Sequence, residues 1–227
     1  MTAPAAFPIG PNLQDGKFKC EWGPRRESAL QIAARLHELN RRLAIVEPEH
    51  REIWPLFAAR AIRPGRDPGP LLDMTVEELG DLIDRRARFD PPRFPAPVDG
   101  SGYALVATVT RIGLDPLDVS ISLHVGSTKY RNEARVDYND QSWIWRDGGA
   151  CLLVIQALVE AMEPEWACAV GVLDEEAEGD PADEFAPYSR PWLAWTAPGA
   201  ELPHWIRPTF PPAEVRAAFG GELRIWS

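Results

Sequence analysis

Cysteine is scarce in this sequence: Cys20, Cys151 and Cys168 are the three in 227 residues. So small and odd a number builds no disulfide framework. Cys151 and Cys168 lie in apolar runs, as small core residues do, and no CxxC or close Cys/His pair has zinc-ligand spacing. A reducing compartment is therefore expected. Histidine is also thin, with His37, His50, His124 and His204 scattered through the chain. None forms HExxH or another close metal pair. His37 reads as a solvated helix residue, and His124 as a surface or groove residue on a strand. No GxSxG elbow and no phosphate-binding loop occurs. Asp15-Gly16-Lys17 is the one Asp-x-Lys, and it is expected in an N-terminal loop with no acid upstream to help it hold a metal. No catalytic residue, metal or cofactor is expected, and the chain is read as no enzyme.

No apolar run approaches the about 18 residues of a membrane span, and MTAPAAFPIGPN has neither the basic nor the long apolar part of a signal peptide. A cytoplasmic location is the expectation. Lysine is limited to Lys17, Lys19 and Lys129, and 34 Asp+Glu outweigh 24 Lys+Arg for a net charge of −10. That balance speaks against nucleic acid or an anionic membrane as a direct partner, since both need a basic face. It suits a basic protein partner, which the field would steer inward, although solubility alone also explains acidity.

What is present is the composition of a globular chain, 45% hydrophobic and 26% charged, and one domain over 1–227 is expected. Residues 1–24 read as an extended, Pro/Gly-rich segment. Ile32, Leu36, Leu39 and Leu43 recur at helical spacing after Ser28 and Gln31, a capping-box pair. Residues 47–70 read as a short helix or irregular stretch followed by a loop. Thr75 and Glu78 cap a second helix, with Met74 and Leu79 as its staple and Pro91-Pro92 as its end. The period then becomes alternating: Tyr103–Thr110, Asp118–Val125 and Asn132–Tyr138 read as strands with one wet face. A nearly all-apolar helix is expected over about 149–162 and must be buried. Trp166–Leu173 and Pro191–Thr196 read as strands, Pro212–Phe219 as a short helix and Leu223–Trp226 as a last strand. Strands in a run imply an α+β fold, a mainly antiparallel sheet with helices packed on one face.

Two features remain for function. Residues 174–190 form an acidic loop in which Asp174, Glu175, Glu176, Glu178, Asp180, Asp183 and Glu184 are the acids and no residue through Glu184 is basic. Nine tryptophans are the other. Most are expected in the core, but Trp143 and Trp145, two apart, would share one face of a strand and could form a binding platform. Exposed Trp beside an acidic loop is the composition of a protein-binding hot spot with electrostatic steering. The Trp pairs also leave open a small-ligand or carbohydrate-binding module that stacks sugars on them.

The series Trp143-Ile144-Trp145-Arg146-Asp147-Gly148-Gly149, the buried helix, Pro164-Glu165-Trp166 and then PWLAWT resembles the immunity protein 52 family of bacterial polymorphic-toxin systems. The MTVEELGDLIDRR helix and the helix before it fit the same layout. The resemblance spans most of the chain and rests on structural Trp/Gly patterns. It implies an immunity protein that binds a cognate toxin, a nuclease of restriction-endonuclease fold often delivered by type VI secretion, and blocks it in the producing cell's cytoplasm. The toxin-binding residues Asp174–Glu184, Trp143 and Trp145 are read from composition alone.

Overall fold

The computed structural model describes residues 13–56, 69–86, 102–109, 119–139, 142–173, 189–204 and 211–226. Its frame is one nine-stranded, wholly antiparallel sheet. The strands are β1 (Leu13–Trp22), β2 (Ile53–Leu56), β3 (Tyr103–Val109), β4 (Val119–Val125), β5 (Asn132–Tyr138), β6 (Trp166–Leu173), β7 (Ser189–Thr196), β8 (Glu214–Ala218) and β9 (Gly221–Ile225). Their order is β2-β3-β4-β5-β1-β6-β7-β9-β8. The helices are α1 (Ala29–Val46), α2 (Val76–Arg86) and α3 (Gly148–Met162). This is the expected α+β class.

The helix signals act as their chemistry dictates. The Ser28 hydroxyl accepts from the Gln31 N–H at 3.3 Å, and the Gln31 side chain accepts from the Ser28 N–H at 2.8 Å. Thr75 and Glu78 make the same reciprocal pair, at 3.1 and 2.9 Å. Ile32, Leu36, Leu39 and Leu43 are all buried, and each contributes about 1.5–3 kcal/mol by leaving water. At the start of α3 the Asp147 carboxylate accepts from the N–H groups of Gly149 and Ala150. Asp147→Ala removes that cap and is expected to lower the unfolding free energy by about 1 kcal/mol, read as a shift of the urea midpoint. The free carbonyls at the end of α3 are met by guanidinium groups instead. Arg35 donates to the Ala161 carbonyl at 2.9 Å and Arg25 to the Met162 carbonyl at 3.0 Å. Both arginines also reach the buried Glu27 carboxylate, Arg35 at 2.8 Å and Arg25 at 3.1 Å, which ties α1 to α3.

Strand alternation divides the sheet into two faces. Phe18, Cys20, Ile121, Leu123, Ala134, Val136, Ala167, Ala169 and Leu193 join α1 and α3 in one continuous core. On the opposite face Trp166, Cys168, Ala194, Leu202 and Trp226 form a second, smaller cluster. Beside it the face turns ionic. Lys19 lies 2.6 Å from Glu21 and 2.9 Å from Glu133. Burial alone would lower the Lys19 pKa, but these carboxylates outweigh it and hold it above the usual lysine value.

Several expectations change. The 1–24 segment contains β1, which sits fifth in the sheet order between β5 and β6 rather than in a loop. Asp15-Gly16-Lys17 is therefore on a strand. The 47–70 stretch contains a short 3-10 turn, Pro48–Glu52, and then the edge strand β2. Pro212–Phe219 is not a helix. Glu214–Ala218 is β8, and Phe219 and Gly220, with φ of 50° and 76°, make a two-residue turn into β9. Positive φ at both positions is the type I′ hairpin geometry that matches strand twist. Gly221 must lack a side chain, because a Cβ there would stand 2.2 Å from the Thr196 carbonyl oxygen and 2.7 Å from the Trp195 indole. The acidic run from Asp174 to Glu184 and the Pro91-Pro92 helix end lie outside the described residues. No described helix is long and apolar enough to cross a membrane.

Candidate interaction surface

Trp143 and Trp145 do not share a strand face. Residues Trp143–Arg146 form a 3-10 turn in which the Ser142 hydroxyl accepts the Ile144 N–H. With about three residues per turn, positions two apart point in different directions. Trp145 enters the core at 4% exposure, whereas Trp143 remains 45% exposed. The Trp145 ring stacks on Phe18 with centroids 4.8 Å apart and planes 10° from parallel, and meets Tyr138 and Trp192 edge-on. Its Nε1–H donates to the Asn139 carbonyl at 2.9 Å. The expected paired platform is reduced to one tryptophan. Of the two tryptophans in PWLAWT, Trp195 is buried too, while Trp192 is partly buried with its ring edge-on to Trp145.

The exposed indole is nevertheless held. Trp143 Nε1–H donates to Glu47 Oε2 at 2.5 Å, while the other Glu47 oxygen accepts the Glu49 N–H at 3.3 Å. Glu47 follows directly on α1, so one carboxylate joins the end of α1 to the turn that begins α3. The helices run antiparallel: Arg42 pairs with Glu160 and Arg35 with Glu163 toward the other end. Ile45 in the last turn of α1 and Leu153 in the second turn of α3 thus lie at the same end as Trp143. Ile45 is 74% and Leu153 48% exposed. Trp143, Ile45 and Leu153 are thus three exposed apolar side chains toward this end of the helix pair, with the exposed Arg146 and Asp147 following Trp143 in the same turn. An aromatic anchor whose rotamer is already fixed loses little entropy on binding. Sequence reasoning found Trp143 but missed Ile45 and Leu153, whose exposure depends on how α1 and α3 pack.

The polar groups elsewhere are arranged structurally. His50 is buried between Asn40 and Tyr138, and burial holds its pKa down to about 3. Asn40 Nδ2 donates to the His50 carbonyl, which turns Oδ1 toward His50 Nδ1. Nδ1 therefore carries the proton and Nε2 accepts from the Tyr138 hydroxyl at 2.8 Å. Cys20, Cys151 and Cys168 are free and buried, and burial pushes all three thiols up, away from the reactive thiolate. His124 is exposed on the open face of β4. Among the described residues no three His, Cys, Asp or Glu side chains gather closely enough to hold a metal ion. The shallow recess between Glu27, Ile32, Arg35, Leu123, Val125 and Met162 has no enclosed space even for a water molecule, far short of a small-molecule pocket.

No protein-family model matches the chain, and no curated protein sequence matches it. Among solved structures it is similar to the Pseudomonas aeruginosa T6SS protein PA0821, at a TM-score of 0.51 and 12% sequence identity. The match covers 93% of this chain and 68% of that one, and at this identity it is a likeness of fold.

Proposed function

We propose that this chain is a non-catalytic immunity protein that binds and neutralises a cognate bacterial toxin, a nuclease delivered by type VI secretion, in the cytoplasm. The observation that carries this reading is the half-exposed Trp143 indole held in place by Glu47, toward the end of the helix pair where Ile45 and Leu153 are also exposed. A tryptophan held in one rotamer yet open to solvent is a usual anchor of a protein-binding hot spot. The likeness to a T6SS protein supports the biological setting. The net charge of −10 and the acidic run from Asp174 to Glu184 would steer a DNA-binding toxin, basic on its own working face, toward the complex.

Co-expression with the toxin from the neighbouring gene tests the reading, and equal killing with and without this protein would refute it. Within a working pair, Trp143→Ala is expected to weaken binding about 30-fold or more. The unfolding midpoint should hardly move, since the ring is half in solvent already. Calorimetric titration beside a thermal melt reads both. Unchanged affinity would remove this end of the helix layer from the interface.

A further inference from the structure

The two edges of the sheet are built differently. β2, at one edge, is four residues long and carries Pro55, which has no N–H to offer another strand. β8, at the other edge, has no proline from Glu214 to Ala218, and Glu214, Val215 and Ala217 on it are exposed. Val215 is an exposed β-branched residue at 51%.

The hairpin determines which backbone groups of β8 are left over by its pairing with β9. Ala218 and Gly221 close its two-residue turn, so they are a hydrogen-bonded pair. Bonded and non-bonded pairs alternate in an antiparallel ladder. Ala218, Arg216 and Glu214 thus bond to β9, while Val215 and Ala217 direct N–H and C=O to the outer edge.

We propose that β8 pairs with the β8 of a second copy of this chain, antiparallel, about a two-fold axis at Val215. Charge selects that register. The outward groups allow the axis to fall on residues 214, 215, 216 or 217. An axis at Glu214 sets two carboxylates against each other, and an axis at Arg216 sets two guanidinium groups together. An axis at Val215 places Glu214 opposite the second copy's Arg216, twice. Glu214 and Arg216 already pair within one strand, at 3.2 Å, so the dimer closes them into a four-membered ionic ring. Val215 meets its own copy on the other face, and the Val215 N–H and C=O bond across the axis. Pairing joins two nine-stranded sheets into one. With one five-residue strand per copy, the contact is smaller than a permanent interface, so a concentration-dependent equilibrium is expected.

Sedimentation of the full chain tests this. The wild type is expected to pass from monomer to dimer below about 100 μM. Val215→Pro removes an N–H that the ladder to β9 does not use. It should leave a monomer at the same concentration, with unchanged circular dichroism and melting temperature. Arg216→Glu opposes carboxylates across the axis and should weaken the dimer about tenfold, and the swap Glu214→Arg with Arg216→Glu should recover most of that loss. A wild type that stays monomeric to about 100 μM overturns the proposal. So does a dimer that survives Val215→Pro, or a swap that recovers nothing.

Discussion

Trp145→Ala is expected to destabilise the protein by about 3–5 kcal/mol, the cost of emptying a buried aromatic site. The ring lies against Phe18, Tyr138 and Trp192, which come from β1, β5 and β7, so a cavity here loosens three strands at once. The Asn139 carbonyl also loses its donor, which adds about 1 kcal/mol if it stays dry. Against the roughly 5–15 kcal/mol of stability of an ordinary domain, the change removes a large share of it. Guanidinium titration measures it. The contrast with Trp143→Ala is the informative part: the same truncation two residues away should spare the fold and impair binding. If Trp145→Ala cost less than about 1 kcal/mol, the ring could not be the contact that anchors the Trp143–Arg146 3-10 turn in the core.

Acid is expected to weaken the fold well above the range where carboxylates titrate. The cause is His50, whose pKa is about 3 in the folded protein against an ordinary 6.5 because burial disfavours the imidazolium. Between those values the unfolded chain binds a proton that the folded chain refuses. Stability is therefore complete above about pH 6.5 and falls as pH is lowered, by about 1.4 kcal/mol per unit within the window. From pH 7 to pH 5 the loss is about 2 kcal/mol. Glu38, held down to about 2 by Arg41 and then Arg42, acts in the same direction, but only below pH 4.5 and on an exposed site where such pairs contribute little. His50→Gln keeps hydrogen-bonding atoms beside Asn40 and Tyr138 and removes the titration. Urea titrations at pH 7, 6 and 5 should then give nearly equal stabilities, and a slope that persists in the variant would remove His50 as its cause.

The histidine and the two tryptophans show what can be read along a chain. The α1 stripe and both capping boxes were legible because their partners are three or four residues away. The strands β4 and β5 were legible because a half-buried strand writes its burial as alternation. His50 gave no such signal: its partners, Asn40 and Tyr138, are 10 and 88 residues distant. β1 reads along the chain only as an extended segment, since Pro and Gly before it resemble a loop, and its central place follows from pairing with β5 and β6. Pro212 and Gly220 resemble the two ends of a helix, yet Gly at positive φ closes a strand hairpin equally well. The choice went to the strand because β9 offered β8 a partner.

Local periodicity and capping thus determined by themselves the class of the fold, the three helices and most strands, since these depend on contacts within a few residues. Charge balance and the scarcity of reactive side chains directed the functional reading in the same way. Only the tertiary structure decided the strand order, the separation of Trp143 from Trp145, the burial of His50 and the exposure of Ile45 and Leu153. These depend on which distant surfaces meet, and short-range patterns carry no information about that.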